Sequence, residues 1–180
     1  WQEEFKVDTT APELENLYLT TADVDGAVEI LAQDQNSLVY RYIYQNAVNI
    51  QISFNCDISG QSKIEYQFTS SFAYDNAKWN EYNAKTGLTV NPNKKFILAV
   101  HATDQAGNQT IVYSDGIIVD NEAPVGEGLA PEITITPDSP NANGYHNGDV
   151  GVAISVQDPP YEDATYNANG IYSGLSSVLY

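Results

Sequence analysis

Strict alternation of apolar and polar residues marks the clearest segments of this chain. In Ala47–Phe54 every second residue is apolar, and Asn, Gln and Ser lie between them. A period of two is typical of an antiparallel strand with one buried face. The residues predicted to point inward are Val48, Ile50, Ile52 and Phe54. Cys56 continues their parity, which predicts a small buried hydrophobe at that position.

Further segments repeat this pattern. The inward residues are predicted to be Ile64, Tyr66 and Phe68 in one strand, and Phe96, Leu98, Val100 and Ala102 in another. The second set places His101 on a solvent face. Residues 109–119 predict a strand or a pair of strands with a bulge or turn at 114–116. Only residues 25–35 could form a helical turn or two. Short alternating strands separated by Gly, Asn, Asp and Pro predict an all-β sandwich.

The chain also resembles itself. The pattern V-D-x-x-A-P occurs at residues 7–12 and again at 119–124, and SGQSKIEY at 59–66 returns as SGLSSVLY at 173–180. Between them, residues 44–54 resemble residues 145–156. Three matches in the same order indicate two homologous modules.

These matches predict three parts of the chain. Residues 1–7 end an upstream module, residues 8–120 form a complete module, and residues 121–180 begin another that stops after about its third strand. We expect that further chain beyond Tyr180, or a neighbouring molecule, supplies the strands that the second module lacks.

On these motifs the chain resembles the bacterial immunoglobulin-like (Big-type) repeats of large secreted and cell-surface proteins. The similarity rests on the two V-D-x-x-A-P joints, on ATDQAGN at 102–108, and on the strand segments in both copies, with WNEY at 79–82. The departures are an insert at roughly 25–44 and an expansion at 159–172. The resemblance implies immunoglobulin-like β-sandwiches used as spacers or adhesive modules, without fixing a ligand.

The net charge narrows the choice of partners. Seven basic residues against 24 acidic ones give −17, which repels phosphate backbones and anionic membranes and favours cations. We therefore expect no nucleic-acid partner. No apolar run is long enough for a membrane-spanning helix. The single cysteine excludes an intrachain disulfide and a zinc site built from cysteines.

Acidic and amide side chains recur where loops of such a sandwich converge at one end. The candidate metal ligands are Asp8, Asp57, Asp104 and Asn108 in the first copy, and Asp120, Asn121, Glu122 and Asp158 in the second. Oxygen ligands from several loops suit Ca²⁺. The alternative is that each side chain closes a turn by binding its own backbone. Residues 21–32 do not form an EF-hand, because Thr21 and Ala32 occupy its first and last ligand positions; a turn is expected there.

Aromatic residues supply the other binding hypothesis. Tyr40, Tyr42 and Tyr44 alternate within the insert and could contact a glycan or a protein partner. Trp79 is expected to be a packing residue instead. Catalysis has little support, because His101 and His146 have no nucleophile motif to serve and carboxylate pairs are expected by chance among 24 acids.

The sequence thus favours a non-catalytic module that lies beside similar modules in the same chain, in an extracellular protein that is secreted or attached to a bacterial cell wall. The first function that fits is a spacer or stalk. The alternatives are an adhesive module for a host glycan or protein, and an accessory module of an extracellular carbohydrate-active enzyme.

Overall fold

A computed structural model describes residues 6–56, 58–124, 132–136, 140–158, 161–163, 167–171, 175 and 177–179. This part of the chain is all-β and contains no helix. Its first ten strands are β1 (Glu13–Thr21), β2 (Val24–Glu29), β3 (Tyr40–Tyr44), β4 (Val48–Asn55), β5 (Gln61–Thr69), β6 (Asn80–Glu81), β7 (Leu88–Val90), β8 (Lys94–Asp104), β9 (Gln109–Tyr113) and β10 (Gly116–Val119). Residues 13–119, which contain them, are called the first region.

One sheet of the first region has the strand order β2-β1-β4-β7. The other has the order β3-β10-β8-β5-β6, and β9 also pairs with β8. Strands β9 and β10 each pair with part of β8, separated at Ser114 and Asp115. The predicted pair of strands at 109–119 with an interruption at 114–116 is therefore confirmed. Strand β3 pairs in parallel with β10, and all the other pairs in these sheets are antiparallel.

The two sheets share one apolar core, in a sandwich-like arrangement. The predicted inward sets of β4 and β8 are all buried: Val48, Ile50, Ile52, Phe54, Phe96, Leu98, Val100 and Ala102. In β5, Ile64 is buried, while Tyr66 and Phe68 are partly buried against the same core. Tyr82 connects the sheets, because its N–H donates to the Ile64 carbonyl at 2.9 Å and its hydroxyl accepts from the Ile52 N–H at 3.0 Å.

The insert that follows β1 forms part of this fold. Residues 25–35 begin in strand β2, so the helical alternative is wrong; β2 instead pairs with the edge of β1. Ile30 then crosses between the sheets: its N–H donates to the Leu17 carbonyl at 3.1 Å, and its carbonyl accepts from the Asp115 N–H at 2.9 Å. Since Ile30 is fully buried, this crossing also fills the core.

Two expected positions need correction. Cys56 is only half-buried, because β4 ends at Asn55 and the alternation ends with it. His101 does lie on the outer face of β8, but it is not solvent-exposed; its side chain is only 11% exposed. The Trp79 ring covers it, with the ring centroids 5.2 Å apart.

The remaining described strands are β11 (Glu132–Thr136), β12 (Gly151–Ser155), β13 (Tyr161–Asp163) and β14 (Asn167–Ile171). They form two separate antiparallel pairs, β11–β12 and β13–β14, which together are called the second region. The strand predicted within residues 145–156 is confirmed as β12. Half of the strand predicted at 173–180 lies outside the described residues, and residues 175 and 177–179 are not in a strand.

Candidate functional site

The first V-D-x-x-A-P motif forms a turn that is bonded to the first region. The Thr10 N–H donates to Asp8 Oδ1 at 2.9 Å, which is the bonding of an Asx turn. The Ser59 N–H donates to Asp8 Oδ2 at 3.0 Å. Thr110 Oγ1 donates to the Pro12 carbonyl at 2.6 Å. Residues 8–12, called the proximal joint, are therefore held by the loop before β5 and by β9.

Asp104 and Asn108 close the neighbouring loop. The backbone and side-chain N–H groups of Asn108 donate to the two oxygens of Asp104, both at 2.8 Å. The same side-chain nitrogen donates to the Asp8 carbonyl at 3.2 Å. Burial of Asp104, which is 2% exposed, acts to raise its pKa, but the hydrogen bonds from Asn108, Gly107 and Ala106 outweigh it and hold the pKa below its ordinary value. The sequence therefore grouped Asp8, Asp104 and Asn108 as the structure does.

The hydrogen bonds of Asp8, Asp104 and Asn108 bear on whether these side chains could bind a cation. Both oxygens of Asp8 and both oxygens of Asp104 accept N–H groups, and Asn108 contributes its nitrogen rather than its oxygen to the cluster. The described contacts are those of a hydrogen-bonded turn, in which N–H donors offset the charge of the two carboxylates. Asp57 lies outside the described residues. Among the residues that are described, no three His, Cys, Asp or Glu side chains have an arrangement that could hold a metal.

The second V-D-x-x-A-P motif repeats the local geometry of the first. The Glu122 N–H donates to Asp120 Oδ1 at 3.0 Å, two residues along the chain, as Thr10 does to Asp8. Asp120 is buried, and its N–H donates to the Tyr44 carbonyl at 2.8 Å. Asn93 Nδ2 donates to Glu122 Oε1 at 3.1 Å, while Asn121 is exposed. Residues 120–124 are called the distal joint.

The two joints lie at opposite ends of strand β8. The proximal joint bonds to residues around Asp104, which ends β8, whereas the distal joint bonds to Asn93, which precedes it. A strand rises about 3.3 Å per residue, so the ten steps from Lys94 to Asp104 in β8 separate the two joints by roughly 33 Å. The last candidate ligand, Asp158, is half-buried and follows β12 in the second region.

The tyrosine row faces into the first region. Tyr44 is in the core, and Tyr42 packs against it while donating its hydroxyl to the Glu29 carbonyl at 2.7 Å. Tyr40 covers Gly116, where an added Cβ would lie 2.5 Å from the ring. Burial raises the pKa of all three phenols. A ligand that approached β3 would meet the exposed Arg41 and Ile43 first.

Trp79 packs on the outer face of the β8 sheet, as expected of a structural residue. Its neighbours there form a second, smaller apolar cluster: Ile97, Ala99, Tyr113, Phe72, Ala32 and Ile111. Tyr74, with its ring centroid 5.4 Å from that of Trp79, lies at the solvent side of this cluster. His146, the other histidine, is half-buried in the loop between β11 and β12.

Two polar groups that the sequence did not single out as functional hold the insert. Asp23 accepts from the Gln45 and Asn46 N–H groups at 2.8 and 2.9 Å, so it fastens the β1–β2 turn to the β3–β4 turn. Hydrogen bonds from Asn46 lower its pKa. The buried Asp115 carboxylate accepts from Arg41 Nε at 2.7 Å. Arg41 and Asp115 are 74 residues apart, and no sequence pattern indicates that they pair.

No family model, curated protein or solved structure matches the chain. A search of the described residues finds no helix of the length and hydropathy needed to cross a membrane.

Proposed function

We propose that the chain is a segment of a non-catalytic array of immunoglobulin-like modules that acts as a spacer or stalk in an extracellular bacterial protein. The observation that carries this proposal is the position of the two joints at opposite ends of the first region. A module with that geometry adds its own length, roughly 33 Å, to any array in which it is repeated. Its neighbours in the chain are then its main partners.

The strand order supports an immunoglobulin-like topology. In such sandwiches strands A, B and E share one sheet, and strands G, F and C share the other. The order β1-β4-β7 in one sheet and β10-β8-β5 in the other corresponds to this division. In the same comparison, β2 and β3 are additions that the insert contributes.

The bonding of the proximal joint supports a stiff connection. Asp8, Asn108 and Thr110 fix the segment before β1 through both side-chain and backbone groups. The proline of the motif also restricts the residue before it to extended conformations. A stalk needs joints of this kind, because a flexible joint would let adjacent modules fold back on each other.

One observation favours the adhesive alternative. Leu38, Val39 and Ile43, in and just before β3, are 41%, 39% and 51% exposed. Exposed apolar residues on an insert are suited to a host protein, and the same position would serve an accessory module of a carbohydrate-active enzyme.

Small-angle X-ray scattering of the chain tests the spacer proposal. A single compact body of 180 residues has a radius of gyration of about 16 Å. A segment whose two regions lie in line should give a clearly larger radius and an elongated distance distribution. A radius of about 16 Å would contradict the proposal.

The adhesive alternative has its own test. The chain and an Ile43→Ser variant would be applied to arrays of host glycans and host proteins. Binding that the variant loses would favour adhesion through β3. The matched control is Val24→Ser, which changes an apolar residue of similar exposure on the edge of the other sheet.

A further inference from the structure

The loop between β11 and β12 contains two Asn-Gly dipeptides, Asn143-Gly144 and Asn147-Gly148. Both asparagines are exposed, and an added Cβ on either glycine would have no neighbouring atom within 4 Å. The remaining Asn-Gly dipeptide of the chain, Asn169-Gly170, lies within β14. Asn-Gly is the dipeptide most open to attack by the backbone on its own side chain, because glycine has no Cβ to obstruct the approach.

The reaction needs no partner other than water. The glycine nitrogen loses its proton and bonds to the side-chain carbonyl carbon of the asparagine. The C–N bond of the side-chain amide breaks, and ammonia leaves with that proton. Water then opens the resulting succinimide to aspartate or isoaspartate. Each conversion replaces a neutral amide with a carboxylate and adds one negative charge.

The two sites differ in the state of the attacking nitrogen. The Gly144 N–H donates to the Asn141 carbonyl at 2.8 Å. The Asn141 side-chain oxygen also accepts from the Asn143 and Tyr145 N–H groups at 2.9 and 3.1 Å, which closes a turn. Attack at Asn143 therefore requires this turn to open first.

Gly148 lies in a bend just after the turn. Within the described part of the chain its N–H donates to no hydrogen-bond acceptor. Its nitrogen can reach the Asn147 side chain by local rotation alone, without the loss of a hydrogen bond.

We propose that Asn147 is a site of spontaneous deamidation in the folded chain and that the turn at 141–145 protects Asn143 from the same reaction. In native buffer Asn147 converts about tenfold faster than Asn143, because opening the turn costs at least one net hydrogen bond. In urea the turn is lost, so the two rates approach each other. The modification adds charge in the loop that leads into β12, at only one of two chemically similar positions.

The test is peptide mapping by mass spectrometry during incubation of the whole chain in mildly alkaline buffer, with and without urea. Fragment ions assign the mass gain to Asn143 or Asn147. A native rate ratio near ten that falls towards one in urea supports the proposal. A native ratio equal to the ratio in urea, faster conversion at Asn143, or no conversion at Asn147 would overturn it.

Two variants give an internal check. Asn141→Ala removes the side-chain acceptor of the turn, so Asn143 should convert several-fold faster while Asn147 keeps its rate. Asn147→Gln should abolish the fast mass gain and leave the slow one. If Asn141→Ala left the Asn143 rate unchanged, the protecting role of the turn would be wrong.

Discussion

Two antiparallel strand pairs of this chain carry the same pattern of apolar partners. In the first region the pairs are Leu17–Ile52 and Leu19–Ile50, and in the second region they are Ile133–Ile154 and Ile135–Val152. The first four side chains are 0–3% exposed, whereas the second four are 39–65% exposed. Both regions therefore form the strand pair locally, whereas burial of its apolar face depends on a second sheet.

The residues that cover the first pair come from far along the chain. Strands β5, β8 and β10 supply most of the opposite side of the core, within residues 61–119. Among the described residues of the second region, no strands cover the apolar side chains of β11–β12 in this way. Within the described residues, the apolar side chains of β11–β12 are exposed, whereas those of β1–β4 are covered by the opposite sheet.

The largest difference is expected from matched truncations of the two apolar faces. Leu19→Ala should destabilise the first region by about 2–5 kcal/mol, because it leaves a cavity in a closed core. Ile135→Ala should change the stability of its region by about 0.5 kcal/mol or less, since that side chain already contacts water. Hydrogen exchange of the β4 and β12 amides measures both effects. Equal changes at the two sites would show that β11–β12 is buried as completely as β1–β4.

Removal of Arg41 should have the next largest effect. Arg41→Met leaves the buried Asp115 carboxylate without its charged partner, at a cost of about 2 kcal/mol; complete burial of both partners would cost more. The control is Lys63→Met, which breaks an ion pair with Glu65 on the outer face and should cost less than about 1 kcal/mol. Urea unfolding followed by tryptophan fluorescence compares the two variants. Equal midpoints would contradict the role given to Arg41 in fixing β3.

Local and distant structure also differ in how well the sequence predicts them. Alternation predicted β4, β5 and β8, because a period of two is visible in adjacent residues, and the similarity of residues 145–156 to residues 44–54 predicted β12. Alternation also placed His101 on a solvent face, which is wrong. The Trp79 ring that covers His101 comes from a loop outside β8, so the pattern within β8 does not reveal it. Similarly, Ile30 lies in the segment for which the sequence allowed a helical turn, and only the assembled sheets show that it crosses between them.

The sequence predicted which side chains lie together at the first V-D-x-x-A-P motif, but not which partners their oxygen atoms bind. Asp8, Asp104 and Asn108 were grouped correctly because loop convergence follows from strand order. Whether their oxygens meet N–H groups or a cation depends on backbone geometry in the loops, which composition and spacing do not specify.

A change in pH is expected to have a smaller effect on the stability of the folded protein. Asp104 and Asp23 have folded-state pKa values below the ordinary 3.8, so their hydrogen bonds stabilise the protein above the unfolded pKa. This contribution is lost as the pH falls from about 5 through the folded pKa values. Urea midpoints measured across that range should decline less in Asp104→Asn than in the parent chain. Parallel declines would mean that Asp104 titrates alike in the folded and unfolded states.

Calcium is expected to have the smallest effect. Because N–H donors already offset the repulsion between the Asp8 and Asp104 carboxylates, we predict that thermal melts with millimolar calcium and with chelator coincide. A bound ion would instead add about 2.7 kcal/mol at a hundredfold excess over its Kd. A rise of several degrees that Asp104→Ala abolishes would establish the calcium site at the proximal joint.

The most direct test of the account is the distance between the two joints. Spin labels at the exposed Thr9 and Asn121, in a Cys56→Ser background, would report it by pulsed electron paramagnetic resonance. We predict a narrow distribution centred above about 30 Å, as the length of β8 requires. A distance below about 20 Å would place both joints at the same end of the first region, and a module built that way could not extend a stalk.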